Sequence, residues 1–190
     1  MRSALSGSQF DMRGGLVDVV GDVTTGRLAN KVCVIASAAG VIGEATAERL
    51  QREGAIVVGV DQRQHTVGVL SLSSDLTKET EVEQTFARIY HEFNRIDVPF
   101  NNAGLNDPND HSALDMTQQA WDRVFAANLT TTCLCCKHGI PYLLKNDPPA
   151  GSVINTASFL AVMGAATHSH ANGALRLDQR SGRHRCLSRQ

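Results

Sequence analysis

The chain has 190 residues, of which 42% are hydrophobic and 19% are charged, and its formal net charge is −1. This size and composition predict one domain with a substantial apolar core and exclude a globally disordered chain. The near-neutral charge predicts no nucleic-acid partner. No apolar run reaches the roughly 18 residues that a membrane helix needs, so no membrane partner is expected either.

The first 26 residues carry no sustained apolar pattern. Asp11, Asp18 and Asp22 interrupt any apolar core of the kind that a signal peptide has. We therefore interpret residues 1–26 as an N-terminal extension.

Strand-like and helix-like segments alternate from residue 31 onward. Short runs rich in Val and Ile predict strands, and apolar residues at helical spacing predict helices. Gly54 is expected to end the first helix, Thr77 to cap the second, and Pro141 to lie near the end of the third. The predicted strands cover 31–36, 55–61, 67–72, 96–100 and 152–157, and the predicted helices cover 43–54, 77–93 and about 117–144.

Strands that alternate with helices across short loops indicate right-handed βαβ crossovers. Such units build an open parallel sheet with helices on both of its faces. The pattern therefore predicts a Rossmann-like, doubly wound α/β domain with three layers, α/β/α.

The first predicted strand, turn and helix read "VIASAAGVIGEA", with glycines at Gly40 and Gly43. In a dinucleotide-binding fold, glycines here allow the tight bend, the approach of backbone N–H groups to the diphosphate, and close helix packing. Asp61 ends the next strand, where an acid would bind the ribose 2′-hydroxyl and repel a 2′-phosphate, so NAD is favoured over NADP. A solvated acid at a strand end is the alternative interpretation of Asp61.

A further motif, "NNAG" at 101–104, directly follows the fourth predicted strand. Together with "ASAAGVIG" and "GVD", it resembles the short-chain dehydrogenase/reductase family. The resemblance runs from about Arg27 to Thr167 and includes "DLT", "FAANL" and "SVINTASF". It implies an NAD(P)(H)-binding Rossmann domain over 27–167 with the strand order 3-2-1-4-5. It also implies an oxidoreductase that acts on a small-molecule alcohol or carbonyl substrate.

The resemblance assigns roles to particular residues. Asp75 would hydrogen-bond the adenine edge, and the segment 101–104 would line the adenosine pocket. Asn128 would order a proton-relay water, and Ser158 would bind the substrate oxygen. A helix-surface amide and a strand-end cap are the alternative interpretations of Asn128 and Ser158. The implied cofactor-binding residues are Ser37, Gly40, Ile42, Gly43, Asp61, Asp75, Leu76, Asn102, Ala103 and Gly104.

The chain departs from the family pattern inside the domain. Ser37 stands where the family has the first glycine of the turn, and Val41 takes the middle glycine position in a second possible alignment. Ser37 adds a Cβ where the backbone needs a positive φ or a close approach to phosphate. Pro99 falls in a predicted central strand, where it removes a ladder hydrogen bond.

The largest departure concerns the family's catalytic Tyr-x-x-x-Lys. Asn172 and Arg176 occupy the expected tyrosine and lysine positions, and the only tyrosines of the chain are Tyr90 and Tyr142. Asparagine does not donate a proton near neutral pH, and arginine lacks the compact ammonium of lysine. We therefore expect an NAD(H)-dependent oxidoreductase by family whose catalysis is impaired. The alternative is a non-catalytic nucleotide-binding remnant or a subunit that only associates.

The sequence changes character at His168. Residues 168–190 are rich in arginine and lack an apolar period, whereas the family continues with a catalytic helix and further strands. We expect a fold truncated after the fifth strand and a poorly ordered tail. Because an uncovered sheet edge favours association, a homo-oligomer is among the expected states of the chain.

Five cysteines are present, and "CLCCKH" with His138 could be arranged around a metal ion. Neighbouring helix positions point in different directions, however, and no second ligand pair at zinc-like spacing occurs elsewhere. We therefore expect no metal site and interpret the cysteines as reduced thiols of a cytoplasmic protein.

Overall fold

A computed structural model describes residues 26–108 and 114–158 of the chain. The predicted tail, with Asn172 and Arg176, lies outside the described residues, and so does nearly all of the N-terminal extension. None of the described helices is both long and apolar enough to cross a membrane. The strands are β1 (Val32–Ala36), β2 (Ile56–Asp61), β3 (Leu70–Ser73), β4 (Val98–Asn101) and β5 (Ile154–Asn155). The described α-helices are α1 (Val41–Arg52), α2 (Glu79–Phe93), α3 (Gln118–Phe125) and α4 (Thr131–Leu144), and a π-helix covers Ala126–Thr130.

The five strands form one parallel sheet in the order β3-β2-β1-β4-β5. β1 lies at the centre, where Val34 is paired with Val58 of β2 and with Pro99 of β4. The predicted proline therefore does lie inside a central strand. Since β2 and β3 lie on one side of β1 and β4 and β5 on the other, the strand order reverses between β1 and β4. The predicted Rossmann-like fold and its order 3-2-1-4-5 are confirmed.

Apolar side chains are buried on both faces of the sheet. β1 is buried at all five of its positions, and its side chains alternate between the faces because successive residues of a strand point in opposite directions. Val34 packs in a core with Phe86 of α2 and Cys135 of α4, whereas Ile35 packs on the other face with Ala47 of α1. The helices therefore cover both faces, as the three-layer prediction requires.

The predicted N-cap of α2 is wrong. α2 begins at Glu79, and Lys78 occupies the N-cap position without a side-chain hydrogen bond to the helix. Thr77 instead donates its hydroxyl to the Asp75 carboxylate at 2.7 Å. A short hydroxyl side chain has several backbone and side-chain partners within reach. Here the hydroxyl bonds to the acid two residues earlier and not to the backbone of the helix.

The predicted helical stretch over about 117–144 is present, but it is not α-helical throughout. α3 and α4 are separated by the five-residue π-helix. The first two residues of α4 bond back to it: the Thr131 hydroxyl donates to the Ala126 carbonyl at 3.1 Å, and the Thr132 hydroxyl lies 3.4 Å from the Asn128 carbonyl. These threonine hydroxyls bond to carbonyls of the preceding turn, which is how such side chains distort an α-helix.

All five strands are shorter than predicted, and the difference is largest for β3 and β5. β3 starts at Leu70 because Gly68 has a φ of +87°, which a strand cannot continue through. β5 has only two residues, since β4 ends at Asn101 and offers pairing positions only at Phe100 and Asn101. Both residues of β5 are exposed at this edge of the sheet.

A buried ion cluster fixes the amino end of the sheet. Asp97 accepts hydrogen bonds from Arg95 at 2.6 and 2.8 Å, from Lys31 at 3.1 Å and from the N–H of Val32 at 2.9 Å. Burial acts to raise the pKa of the Asp97 carboxyl, but the hydrogen bonds from Arg95, Val32 and Lys31 outweigh it and lower the pKa below its ordinary value. The cluster ties the start of β1 to the segment that enters β4.

Asp97→Asn is expected to lower the free energy of unfolding by about 2 kcal/mol at pH 7, because hydrogen bonds to a charged group contribute about 1.5–3 kcal/mol. The folded-state pKa lies below the unfolded value of about 3.9, so this stabilisation is fully present above that value. It is lost as the pH falls through the folded pKa, and the difference between the two proteins should shrink on acidification. Urea unfolding across that pH range measures both effects.

Glu48→Gln is the matched control, since Glu48 and Arg52 form a largely exposed pair on α1. Such pairs contribute at most about 1 kcal/mol. The stabilising role of Asp97 would be contradicted if Asp97→Asn lowered the free energy of unfolding no more than Glu48→Gln does. It would also be contradicted if the decrease caused by Asp97→Asn became larger as the pH falls.

Candidate cofactor-binding site

A cleft of about 290 Å³ opens at the carboxyl ends of the strands. It lies between the turn that follows β1 and the segment that follows β4. The strand order reverses at this point, and open α/β sheets bind their ligands there. The lining residues are Ser37, Asp61, Gln62, Arg63, Ser74, Leu76, Thr77, Ala103, Gly104, Leu105, Ala127 and Thr131.

The turn after β1 combines a strained residue with two glycines. Ser37 has a φ of +59°, so the predicted cost of a serine at this glycine position is present. A Cβ at Gly43 would collide with the Ser37 carbonyl and would lie 2.8 Å from the Cα of Ala38. α1 can therefore start this close to the turn only because Gly43 has no side chain. Gly40 is the N-cap of α1, whose first N–H groups have no partner within the helix.

Asp61 ends β2 and binds the turn. One carboxylate oxygen accepts from the N–H of Ala39 at 3.0 Å, and the other accepts from the N–H of Arg63 at 2.9 Å and from its Nε at 3.3 Å. Burial acts to raise the pKa of Asp61, but the hydrogen bonds from Arg63 and Ala39 outweigh it and lower the pKa. Asp61 is therefore charged at neutral pH, and it is not the solvated strand-end acid of the alternative interpretation.

The Asp75 carboxylate is engaged by its own neighbours. One oxygen accepts from the N–H and the hydroxyl of Thr77 at 3.1 and 2.7 Å and from the Gln62 amide at 2.7 Å. The Lys78 ammonium lies 3.4 Å from the other oxygen. Asp75 thereby shapes the loop between β3 and α2, and it does not itself line the cleft.

Asn128 ties the π-helix to the segment after β4. Its Oδ1 accepts from the N–H of Leu105 at 2.7 Å, and its Nδ2 donates to the Leu105 carbonyl at 3.0 Å. A Cβ at Gly104 would approach the Asn128 Oδ1 to 3.2 Å. Gly104 therefore leaves room both for this pairing and for the cleft beside it.

Polar side chains link the ends of β4 and β5. The Asn101 amide donates to Asn155 Oδ1 at 2.8 Å, and the Thr156 hydroxyl donates to Asn102 Oδ1 at 3.0 Å. Ser158, the last residue before the chain leaves the described part, follows Thr156 and is exposed. The segment after β5 thus continues along the same edge of the sheet as the cleft.

Half of the predicted cofactor-binding residues line the cleft. They are Ser37, Asp61, Leu76, Ala103 and Gly104. The other half lies outside the lining and includes residues that shape its walls by capping, close packing or hydrogen bonding. This second group is Gly40, Ile42, Gly43, Asp75 and Asn102.

Sequence reasoning missed several residues of the lining. Gln62 and Arg63 directly follow Asp61. Because β2 was predicted to end at Asp61, both residues could have been placed at the same edge of the sheet. Ala127 and Thr131 are one turn apart on the helical stretch that contains Asn128, and helical spacing would have placed them on one face.

Neither tyrosine of the chain lies at the cleft. The rings of Tyr90 and Tyr142 stack with their centroids 4.8 Å apart, and the Lys145 ammonium lies 4.7 Å from the Tyr142 centroid. Asn146, which follows Lys145, donates to the Ile96 carbonyl ahead of β4, so this cluster sits at the amino edge of the sheet. Along α4, Tyr142 is about 16 Å from the start of the helix at the cleft, at 1.5 Å per residue.

The cysteines of α4 face different surroundings. Cys133 is exposed, whereas Cys135 is buried, and burial raises the pKa of the Cys135 thiol to about 12. Cys136 lies 3.5 Å from the Asn101 amide. Within residues 26–108 and 114–158, no three His, Cys, Asp or Glu side chains are grouped so that they could hold a metal ion.

Asn128→Ala is expected to speed hydrogen exchange of the Leu105 amide by about tenfold or more. The change removes two hydrogen bonds to the Leu105 backbone, each with a net contribution of about 1 kcal/mol. Exchange measured by NMR reports it directly. Gln119→Ala, which shortens an exposed amide side chain on α3, is the control and should leave Leu105 unchanged. Equal exchange rates of the Leu105 amide in both variants would contradict the hydrogen bonding between Asn128 and Leu105.

Comparison with known proteins adds three findings. The model of the short chain dehydrogenase family matches residues 31–170. Secoisolariciresinol dehydrogenase of Forsythia intermedia is 31% identical over 155 residues, which cover 76% of this chain and 55% of that protein. Meso-2,3-butanediol dehydrogenase of Serratia marcescens is 33% identical over 162 residues, which cover 78% of this chain and 62% of that protein.

The same comparison extends to solved structures. The crystal structure of NAD⁺-bound xylitol dehydrogenase matches with a TM-score of 0.68 and 29% sequence identity, covering 76% of this chain and 58% of that one. The chain thus spans little more than half of the length of the relatives that it matches. The match of the family model over most of the chain, together with the sheet order and the turn before α1, establishes that this chain belongs to the short-chain dehydrogenase/reductase family.

Proposed function

We propose that the chain binds NAD(H) in the cleft and acts, by descent, as an oxidoreductase that interconverts an alcohol and a carbonyl group. The observation that carries the proposal is the charged Asp61 carboxylate at the cleft wall, beside the turn that leads into α1. Xylitol dehydrogenase, a matching protein with NAD⁺ bound, supports the class of cofactor. When bound, the nicotinamide supplies or accepts a hydride.

The residues of the cleft suit the parts of such a cofactor. The Asp61 oxygen that accepts from Ala39 keeps a lone pair for a ribose hydroxyl, since each carboxylate oxygen accepts about two hydrogen bonds. The start of α1 offers unpaired N–H groups and the positive end of a helix dipole to a diphosphate. On the opposite wall, Ala103 and Gly104 present little side chain, so a flat ring can approach the backbone.

We assign the chemical step to the residues at the family's catalytic positions, among which the proton donor is missing. In this proposal Asn128 orders a proton-relay water and Ser158 binds the substrate oxygen. Asn172 leaves that oxygen without a proton donor, and Arg176 replaces the ammonium that would position the ribose. Tyr90 and Tyr142 cannot substitute, because they stack at the opposite edge of the sheet. The missing proton donor also favours a second candidate function, a nucleotide-binding subunit without catalysis.

Self-association and a cytoplasmic location stay predictions. Exposed apolar residues support self-association, namely Leu129 of the π-helix and Ile140 and Leu144 of α4. A monomer mass from light scattering of the purified chain would contradict it. The free thiols of the described cysteines support the second. A tagged chain found in a secretory compartment would contradict it.

Asp61→Ala is expected to narrow the preference of the chain for NAD over NADP. The change removes an acceptor for the ribose hydroxyl and a charge that faces a 2′-phosphate, and a charge-assisted hydrogen bond of about 1.5–3 kcal/mol corresponds to about tenfold in NAD affinity or more. Calorimetry with both cofactors gives the ratio. Glu48→Ala, on the exposed side of α1, is the control, and an unchanged ratio in Asp61→Ala would remove Asp61 from the site.

Turnover should be low in the chain as it stands and should rise when the missing pair is supplied. General acid catalysis contributes about 10²- to 10⁴-fold, so Asn172→Tyr combined with Arg176→Lys should raise NADH oxidation with a panel of ketones and aldehydes toward that range. Asn172→Phe with Arg176→Lys adds the ring without the hydroxyl and is the control. Turnover by the unaltered chain near an ordinary rate of about 10 s⁻¹ would contradict the proposed impairment.

A further inference from the structure

Two cysteines of α4 lie one helical turn apart near the protein surface. Cys133 is exposed, Cys136 is half-buried, and both carry free thiols. Residues three apart on a helix are neighbours, with about 5–6 Å between their Cβ atoms. The two thiols form a Cys-x-x-Cys sequence, whereas Cys135 between them is buried in the core. The proposed binding of a cofactor and the proposed chemistry use neither thiol.

We propose that Cys133 and Cys136 form a redox site, a dithiol that closes to a disulfide within the chain when a small disulfide such as glutathione disulfide oxidises it. A Cys-x-x-Cys sequence beside a βαβ pattern is typical of dithiols that are oxidised and reduced reversibly. Cys33 and Cys135 are unsuited to this chemistry, because burial raises the pKa of each thiol to about 12 and so suppresses the reactive thiolate.

The surroundings of the two thiols assign them different roles. Lys137 follows Cys133 by four residues, which places both on the same side of the helix, and a nearby ammonium favours a thiolate. The pKa of Lys137 is raised, first by its hydrogen bond to Glu79 and further by the charge of the Cys133 thiolate. Burial and then the charge of Cys133 raise the pKa of the Cys136 thiol. Cys133 is therefore the attacking thiol, and Cys136 is the thiol that closes the disulfide.

The oxidation consists of two successive thiol–disulfide exchanges. The Cys133 thiolate attacks one sulfur of glutathione disulfide, forms a mixed disulfide and releases the first glutathione thiolate. Cys136 then loses its proton to water and attacks the Cys133 sulfur, which releases the second glutathione thiolate. The dithiol gives up two electrons, which reduce glutathione disulfide to two glutathione molecules, and the two thiol protons end on these molecules. An excess of a dithiol reductant reverses the reaction.

The start of α4 can provide the closer approach that a disulfide needs. A disulfide holds its two Cβ atoms about 3.5–4.5 Å apart, which is closer than a regular α-helix holds residues three apart. Cys133 is the third residue of α4, directly after the π-helix, so it lies where the helical winding already changes. In 3₁₀ geometry the side chains of residues three apart are eclipsed. Tightening of this one turn therefore brings the two sulfurs together.

Closure of the disulfide costs few contacts elsewhere. The Asn101 amide lies 3.5 Å from Cys136 Sγ, and Asn155 Oδ1 lies 3.9 Å from it. Turning Cys136 toward Cys133 removes these two weak sulfur contacts. The hydrogen bond between Asn101 and Asn155, at 2.8 Å, does not involve the sulfur and continues to link β4 with β5. The sheet therefore tolerates the disulfide, and an exposed disulfide that needs a change in the backbone is readily reduced again.

Intact-mass spectrometry of the full chain after incubation with glutathione disulfide tests the redox site. We expect the mass to fall by about 2 Da, the loss of two hydrogen atoms, and to recover with dithiothreitol. Cys136→Ser should instead accumulate a glutathione adduct, because Cys133 is still attacked and no second thiol displaces the glutathione. Cys133→Ser should react about tenfold more slowly than the unaltered chain or slower still, since the thiol that remains is less exposed.

Cys135→Ala and Cys186→Ser are the control variants, because Cys135 is buried and Cys186 lies outside the described residues. Both should still lose about 2 Da with glutathione disulfide. Loss of this oxidation in either control would assign the disulfide to another pair of thiols and overturn the proposal. An unaltered chain that stays reduced, that keeps a glutathione adduct without closing, or that forms a disulfide-linked dimer on a non-reducing gel would overturn it as well.

Discussion

The close approach of α1 to the turn after β1 is the constraint on which the rest of the site depends. A side chain at Gly43 would collide with the backbone of Ser37 and Ala38, so the helix can begin here only with glycine at that position. With the turn held against the helix, the N–H of Ala39 reaches the Asp61 carboxylate at 3.0 Å on the neighbouring strand. The same geometry leaves Ser37 at a φ of +59°, a strain of about 1–3 kcal/mol that burial of the sheet on both faces offsets.

Most of the fold could be predicted from local pattern, because it depends on burial. Runs of Val and Ile identify the central strands, and a parallel sheet covered by helices is the arrangement that buries both of their faces. The pattern did not predict local structure where a polar side chain can hydrogen-bond to any of several nearby groups. Thr77 bonds to Asp75 and does not cap α2, and Thr131, at the start of α4, bonds back to Ala126 of the π-helix. Apolar periodicity carries no information about such choices.

Part of the site was predictable because it follows from where the strands end. Asp61 and Ser37 stand at strand ends, and strand ends meet at one edge of the sheet, so the sequence places them together. The bonds of Asn128 to Leu105 and of Arg63 to Ala39 join segments that are distant in the chain, and only the folded structure reveals them. The cleft is thus built and held by hydrogen bonds among the described residues, whereas Asn172 and Arg176 lie outside them.

The most direct test of the central claim is hydrogen exchange of the full chain, followed by mass spectrometry, with and without NADH. With NADH, slower exchange is expected in peptides that cover 37–43, 61–63 and 103–105, because these segments surround the cleft at the carboxyl edge of the sheet. Peptides that contain Tyr90 or Asp97, at the opposite edge, should exchange at the same rate in both states. Unchanged exchange across 37–43, or protection confined to the opposite edge, would contradict the claim that this cleft binds the dinucleotide.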